Sequence, residues 1–214
     1  MRLFIYRRTG GDFDADTGYY KGFTIIRQVA DKKGKNTDLC RVCSINGTHR
    51  HEVAVNEGNV PYNIYREKGF LEISGENQVD YKDVYKWFID LVKVYKIRPL
   101  KIGYDRYSAG YLVDDLKMAG FQTDDVYQGT NLTPILNQFE GDLKDGKYNL
   151  GNNTLLASHF LNVAVEINMN DSRMKPVKIE KRMRIDGAVS VFDAMTMVSK
   201  YHSEIGKKLL NEAA

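Results

Sequence analysis

The spacing of hydrophobic and polar residues changes along the chain. Residues 2–8, 22–30 and 38–46 are rich in β-branched and aromatic residues and are separated by turn-like stretches, which predicts an antiparallel meander. From residue 80 onward, apolar residues recur at helical spacing and alternate with short extended stretches. The predicted helices are 80–97 (capped by Asp80), 108–119 (ending at Gly120), 131–144, 153–164 and a last one starting near Asp186; the predicted strands are 99–105, 121–129, 163–169 and 175–182. This order indicates a three-layer α/β fold with a mixed sheet, in one domain over residues 1–214. That domain comprises a meander (1–57) and an α/β part (58–205).

Composition narrows the protein class only slightly. Hydrophobic residues make up 43% and charged residues 28% of the chain, as in ordinary globular proteins. The net charge of +3 permits a nucleic-acid partner without demanding one. With two cysteines and too short an apolar stretch at the N-terminus for a secretory signal, we expect a protein of the reducing cytosol that is not secreted.

The stretch "MRIDGAVSVFDAM" combines an apolar helix with two carboxylates. At about 100° per residue, Asp186, Ser190 and Asp193 fall on one stripe. This stripe is either the solvent face, with Asp186 favoured by the helix dipole, or a metal-binding face over the sheet. On the second interpretation, Asp193 is an outer ligand or a solvent-facing acid.

A second acid follows an apolar strand in "IGYDRYSAG". Asp105 stands at the carboxyl end of that strand, where ligands bind in open α/β sheets, although a turn or capping role is the simpler alternative. Acids from a strand end and a helix could share divalent cations, and hard Mg²⁺ or Mn²⁺ suits carboxylate ligands. Two such ions, about 3.5–4 Å apart, are what two-metal phosphodiester hydrolysis requires.

The run "RMKPVKIEKRMR" leads directly into Asp186. It holds six cations and one acid, Glu180. Such a run is usually a solvated face, but beside an acidic metal site it would suit a phosphate backbone. The candidate DNA-binding residues are Arg173, Lys175, Lys178, Lys181, Arg182 and Arg184.

A competing metal site lies in "CRVCSINGTHRH". Cys40, Cys43, His49 and His51 have side chains of the types that bind structural zinc. The cysteines, however, fall inside a predicted strand, where residues three apart point to opposite faces. The sequence contains no phosphate-cradling G-x₄-G-K-[ST] loop, so no ATPase site is predicted.

Four stretches, in the same order, resemble the nuclease half of tailed-phage terminase large subunits. "NVPYNIYREKGFLEIS" resembles that family's "VPYDxWxxxGxL", and "GYDRYSAGYLVDDLKMAGF" resembles "YDxWxAxxLxxxLxxxGF". "VYQGTNLTPILNQFEGDLKDGKYNLGNN" resembles "QGxxxLSxPxxxLExxxxxGKxxHxGNP", and "KPVKIEKRMRIDGAVSVFDAM" resembles "KPxKxxxxxKIDGxxALxMA". The resemblance covers about residues 58–200. It implies a ribonuclease H-like fold, which is a mixed sheet flanked by helices. It also implies an enzyme that cuts packaged double-stranded DNA with two metal ions.

Carried over residue by residue, the resemblance gives catalytic and metal-binding roles to Asp105 and Asp186. Asp193 falls where the family has an apolar or small residue, so its role as a metal ligand rests on helix geometry. Asn149 and Asn153 replace the family's His and Pro in "HxGNP". The family's first acid, in "G-[VIL]-D-L-S" on the opening strand, has no match, because residues 2–8 look more like the second strand of the pattern. Either this chain begins inside the nuclease domain, which we favour, or Asp12, Asp14 or Asp16 replaces the missing acid.

The resemblance also implies partners and a location. These are the terminase small subunit, the portal, an ATPase half and the cytoplasm of an infected or lysogenic bacterial host. We therefore expect a metal-dependent endodeoxyribonuclease domain. The alternatives are a catalytically incomplete nucleic-acid-binding fragment of the same fold, or a structural protein stapled by zinc.

Overall fold

The fold is seen in a computed structural model, which describes residues 2–8, 20–28, 37–45, 55, 58–74, 79–95, 98–105, 110–149 and 152–204. For the first three ranges and for Asn149, only the backbone is described. Asp12, Asp14, Asp16, His49 and His51, which the sequence singled out, lie outside the described residues.

Seven strands form one mixed sheet in the order β4-β3-β2-β1-β5-β6, with β7 paired to β3. Their bounds are β1 Arg2–Arg8, β2 Tyr20–Gln28, β3 Thr37–Ile45, β4 Leu71–Ile73, β5 Ile102–Asp105, β6 Thr123–Val126 and β7 Tyr148–Asn149. The first three strands pair antiparallel, which confirms the predicted meander. The sheet then continues from β1 through β5 to β6 in parallel. A separate antiparallel hairpin joins β8 Val163–Ile167 to β9 Met174–Lys178.

Strand β1 occupies the middle of the sheet. It lies between β2 and β5 and runs parallel to β5, which carries Asp105. The sequence interpretation assigned residues 2–8 to the family's second strand. Because residues 2–8 contain no acidic residue, β1 brings no acid to the centre of the sheet.

Six helices surround the sheet in the described part of the chain. They are α1 Tyr62–Glu67, α2 Tyr81–Lys93, α3 Gly110–Met118, α4 Thr133–Lys144, α5 Thr154–Leu161 and α6 Asp186–Lys200, with a 3₁₀ turn at Thr130–Leu132 before α4. The predicted cap of α2 is confirmed, since the Asp80 side chain accepts a hydrogen bond from the Lys82 N–H at 2.8 Å. Asn153 caps α5 in the same way, through the Leu156 N–H at 2.9 Å. None of the described helices is long and apolar enough to span a bilayer.

Several predicted elements are shorter than expected, including the helix before the hairpin and the second strand of the hairpin. The helix predicted over 153–164 ends at Leu161, because the chain enters β8 at Val163. The basic strand predicted over 175–182 ends at Lys178, where the Ile179 N–H donates to the Asn162 carbonyl at the base of the hairpin. The rest of the basic run is therefore a turn segment that connects the hairpin to α6.

The sheet separates two apolar cores. On one face, α2 and α3 bury Val84, Phe88, Leu91 and Leu116 against Ile102 of β5. The other face carries α4, α5 and α6, whose apolar residues pack around Val126 of β6. This is the predicted three-layer arrangement. Val94, predicted on the buried face of α2, lies past the helix end and is 64% exposed.

Gly103 allows α6 to lie directly on the sheet. A Cβ atom at this position would stand 2.8 Å from Met197 Cγ and 3.2 Å from Val126 Cγ2. Only glycine leaves room for the helix at this distance. The close contact fixes which part of α6 lies over β5, and hence how the acids of the helix are placed relative to the strand ends.

Candidate functional site

The register of α6 follows from contacts spread along its length. Met197 lies against Gly103 of β5, and the residues after Met197 reach Asp124 of β6. Earlier in the helix, Asp193 accepts a hydrogen bond from Gln128 Nε2 at 2.9 Å, and Gln128 follows the carboxyl end of β6. The helix therefore lies across the sheet, with Tyr201 at Asp124 near the start of β6 and Asp193 at Gln128 just after the end of β6.

The carboxyl end of α6 is anchored by charge. Asp124 accepts hydrogen bonds from Lys200 Nζ and from Tyr201 Oη, the latter at 2.6 Å. Burial raises the pKa of Asp124, but these hydrogen bonds outweigh it and hold the pKa below its ordinary value of 3.8. The bond to Asp124 in turn raises the pKa of Tyr201 to about 12. This anchor limits sliding of the helix along the sheet.

Asp105 lies on the sheet face that α6 covers. Ile102 and Tyr104 belong to the α2–α3 core, whereas Gly103 contacts α6. Because side chains alternate along a strand, Asp105 shares the face of Gly103. Asp105 is two residues beyond Gly103 on β5, and Asp193 is about one helical turn before Met197, the residue that contacts Gly103.

Asp193 is buried, contrary to one of the sequence interpretations. Asp186, Ser190 and Asp193 are each 0% exposed, so the stripe that they form is not a solvent face. The suggestion that Asp193 faces solvent is therefore wrong. Every residue from Asp186 to Met195 is buried, because α6 is covered by the sheet on one side and by α4 and α5 on the other.

Asp186 combines complete burial with unsatisfied oxygens. Neither of its carboxylate oxygens has a hydrogen-bond donor among the described residues. Ser190 Oγ donates to the Asp186 backbone carbonyl at 2.7 Å rather than to the carboxylate. A buried acceptor without a donor costs about 1–3 kcal/mol, and more when it is charged. A bound cation would offset this cost, so the chemistry of Asp186 fits a metal ligand.

The three predicted ligands do not form one compact cluster. Asp186 is about two helical turns, roughly 10 Å, from Asp193 along the α6 axis. Among the described side chains, no group of three or more histidines, cysteines or carboxylates stands close enough to hold a metal ion. Asp105 lies on the sheet face that α6 covers, and the sharing of one centre by Asp105 with Asp186 or Asp193 stays a prediction.

The basic segment is tied to the start of α6. Asn162, directly after α5, accepts from the Ile179 N–H at 3.0 Å and donates through its side chain to the Arg184 carbonyl at 3.0 Å. The Thr133 hydroxyl accepts from the Met174 N–H at 2.8 Å and fixes the other end of β9. The predicted DNA-binding run therefore leads to the buried Asp186 along a path held at both ends.

Three of the predicted DNA-binding cations have acidic partners among the described residues. The pairs are Lys175 with Glu166 at 2.7 Å, Arg182 with Glu180 at 2.7 Å and Arg173 with Asp171 at 3.4 Å. All of these side chains are exposed, so such pairs contribute about 1 kcal/mol or less and can open for another anion. Lys178 Nζ reaches the Lys181 carbonyl at 3.5 Å.

The zinc interpretation gains no support from the described backbone. Cys40 and Cys43 both lie within β3, three residues apart, which places them on opposite faces of the sheet. Cys40 pairs with Ile25 of β2, and Cys43 with Gly22.

Three residues at the site had no role in the sequence analysis. Gln128 binds Asp193, Asn162 holds the segment before Asp186, and His159 of α5 accepts the Gly187 N–H through Nδ1 at 2.9 Å. Gln128 lies in the quoted "VYQG" stretch, which could have drawn attention to it. The signal for His159 was indirect. Ile185 stands at the start of a helix but has no side-chain acceptor, so the first N–H groups of that helix need an acceptor from elsewhere.

The chain has the same architecture as known terminase structures. The chain superposes on the large terminase of bacteriophage HK97 with a TM-score of 0.74 and 18% identity, over 91% of this chain and 39% of that one. It superposes on the large terminase nuclease of thermophilic phage G20c with bound magnesium (TM-score 0.51, 8% identity) and with bound cobalt (TM-score 0.52, 11% identity), over 91% of this chain and 81% of each. At these identities the likeness establishes the fold, which is that of ribonuclease H-like terminase nucleases. The chain spans about two fifths of the HK97 protein.

Sequence comparison identifies the family. No curated protein shows significant similarity to the chain. The family model described as "Terminase large subunit, endonuclease domain" matches residues 42–202, which is more than half of the chain and includes Asp105, Asp186 and Asp193. The chain therefore belongs to the family of terminase large subunit endonuclease domains.

Proposed function

We propose that this chain is a metal-dependent endodeoxyribonuclease domain of a phage DNA-packaging terminase. The observation that carries the proposal is Asp186, a fully buried carboxylate whose two oxygens have no donor in the described part of the chain. It occupies the acidic position of the family's "KIDG" motif. The magnesium and cobalt named in the G20c nuclease structures support a divalent cation as the partner of that carboxylate.

The acids of this chain would bind cations at two different positions. Asp186 would bind a cation at the start of α6, and Asp105 and Asp193 would bind at the carboxyl ends of the parallel strands. When bound, a pair of Mg²⁺ or Mn²⁺ ions would activate a water molecule and stabilise the leaving oxygen. Gln128 holds one Asp193 oxygen at 2.9 Å and so orients the other. The burial of α6 keeps these side chains fixed before DNA arrives.

Cleavage of supercoiled plasmid tests the proposal. The wild-type chain should nick plasmid in Mg²⁺ or Mn²⁺ but not in EDTA. Asp186→Asn and Asp105→Asn should each lower the rate at least tenfold, since even the loss of an outer-shell partner of a metal ligand costs about 10–100-fold in affinity or activity. Asp114→Asn is the matched control, because Asp114 is an exposed acid on α3. Nicking that is equal in all four proteins would identify the activity as a contaminant.

The basic segment supplies the proposed DNA-binding surface. Affinity for duplex DNA should fall steeply with salt, and replacing Lys178, Lys181 and Arg182 by alanine should lower the slope of log K against log salt by up to about 0.9 for each phosphate that the protein no longer neutralises. Lys144→Ala, an exposed lysine on α4 paired with Glu140, is the control. An unchanged slope in the triple variant would mean that the segment is only a solvated surface.

A second candidate is DNA binding without efficient cleavage. It is favoured because residues 2–8 contain no acid and because the described side chains include no group of three metal-binding residues. Salt-sensitive binding without metal-dependent nicking would support it. If Asp12, Asp14 or Asp16 supplies the missing ligand, its replacement by asparagine should abolish nicking. In a full terminase, the domain would act with an ATPase half, a small subunit and a portal in the cytoplasm of a bacterial host.

A further inference from the structure

The start of α6 has no local cap. Ile185 stands at the N-cap position and makes no side-chain hydrogen bond, although the first N–H groups of any helix need acceptors. The adjacent Asp186 carboxylate does not serve, since both of its oxygens lack donors among the described residues. The acceptor for the Gly187 N–H comes from another helix: His159 of α5, which is 2% exposed, accepts it through Nδ1 at 2.9 Å.

We propose that His159 is a positioning residue for Asp186: its imidazole caps α6 and thereby leaves both carboxylate oxygens for a divalent cation. The inference rests on the proposed metal-dependent function. Because the Gly187 N–H points at Nδ1, that nitrogen carries a lone pair and the ring hydrogen is on Nε2. The ring therefore acts as a neutral acceptor that adds no second negative charge beside Asp186.

His159 keeps the Gly187 N–H from competing with a cation for the Asp186 carboxylate. An aspartate can accept the N–H of the next residue, as Asp124 does from the Asp125 N–H at 2.9 Å. Without an acceptor at position 159, the Gly187 N–H would be unpaired, and the carboxylate of the preceding residue, Asp186, could accept it. A carboxylate turned toward that N–H would be a poorer cation ligand.

Helix α5 holds both sides of Asp186. His159 binds the residue after it, and the Asn162 side chain donates to the carbonyl of Arg184, two residues before it, at 3.0 Å. Asn162 is the C-cap residue of α5 and stands three positions after His159, so the last turn of α5 contacts the backbone on either side of the acid. The orientation of Asp186 is therefore set by α5 as well as by α6.

Two amide substitutions test whether the acceptor at position 159 must stand at the place of Nδ1. Both supply an acceptor oxygen, but at different distances from the backbone. The Asn side-chain oxygen in His159→Asn falls where Nδ1 is, whereas the Gln oxygen in His159→Gln lies one carbon further out. Mn²⁺ binding is measured by calorimetry on the full chain, and exchange of the Gly187 amide hydrogen by NMR. His159→Asn should bind Mn²⁺ within about twofold of wild type, and His159→Gln roughly tenfold more weakly, as for other outer-shell residues. Leu156→Val, a core change on the same helix, should lower the melting temperature without changing Mn²⁺ affinity.

The outcomes distinguish this inference from the proposed function. Faster Gly187 exchange and weaker Mn²⁺ binding in His159→Gln, with rescue in His159→Asn, support the positioning role. Equal Mn²⁺ affinity in both variants and wild type overturns the positioning role and leaves the nuclease proposal standing. Two results would overturn both the positioning role and the proposed function. One is that the wild-type protein binds no Mn²⁺, and the other is that Asp186→Asn binds Mn²⁺ as tightly as wild type does.

Discussion

Replacing Asp186 by asparagine should remove the stabilising effect of metal on folding. In the absence of a divalent cation, the wild-type protein holds a buried carboxylate with no donor among its described neighbours. The asparagine side chain has almost the same shape but carries no charge. We therefore expect the metal-free variant to be at least as stable as wild type, because the amide removes the cost of burying an unpaired charge.

Metal should stabilise only the wild-type protein. A ligand that binds the folded state alone adds RT ln(1 + [L]/Kd), which is about 2.7 kcal/mol at one hundred times Kd. For a chain of 214 residues, 1 kcal/mol shifts the melting temperature by about 2–4 °C. Saturating Mn²⁺ should therefore raise the wild-type melting temperature by about 5–10 °C and leave the asparagine variant nearly unchanged.

The measurement is a thermal unfolding series over Mn²⁺ concentration for wild type, Asp186→Asn and the exposed control Asp114→Asn. The control should follow wild type, because Asp114 lies on the solvent side of α3. A variant at Asp186 whose melting temperature rises with Mn²⁺ as much as that of wild type would falsify the assignment of Asp186 as a cation ligand. A metal-free variant several degrees less stable than wild type would show instead that the carboxylate has a structural partner.

Two further predictions concern the contacts that place α6. Gly103→Ala should lower the free energy of unfolding by about 1–3 kcal/mol, because its Cβ would lie 2.8 Å from Met197 Cγ, and a Gly103→Ala/Met197→Ala double variant should show non-additive recovery in urea unfolding. The pKa of Asp124 is depressed in the folded protein, so the stability that it contributes is present above its ordinary pKa of 3.8 and is lost as pH falls through the lower folded value. Asp124→Asn should therefore be less stable than wild type at pH 7, by about 1 kcal/mol or less, and the difference should shrink on acidification below about pH 4, as urea unfolding at pH 7 and pH 3 would reveal.

The fold was largely predictable from short-range pattern. Antiparallel strands are recognisable as β-rich runs between turns, and the predicted meander was confirmed. Asp80, predicted as a cap, and Gly120, predicted as a helix stop, have the expected roles, since Gly120 follows α3 with a φ of 83°. Capping and helix termination depend on residues close in sequence, so they can be read without tertiary information.

The limits of the prediction appear where distant elements meet. The prediction that Asp186 and Asp193 lie on one side of the helix follows from helix geometry. The sequence left open whether solvent or protein covers that side. The answer depends on α4 and α5, which together with the sheet enclose α6 on all sides. His159 illustrates the same limit, because its partner Gly187 is 28 positions away and belongs to another helix.

Under the proposed function, the two carboxylates of α6 are buried because burial fixes their positions, although it lowers the stability of the fold. A helix that is apolar on every side belongs in a core, and each ionised group placed there opposes folding unless it finds a partner. The surrounding residues of α6 offset this cost by packing fully on both sides. In return the carboxylates sit on a helix that is fixed by the contact of Met197 with Gly103 and by the hydrogen bond from Tyr201 to Asp124. A cation ligand held on such an element keeps its geometry when DNA binds, which a ligand on an exposed loop would not.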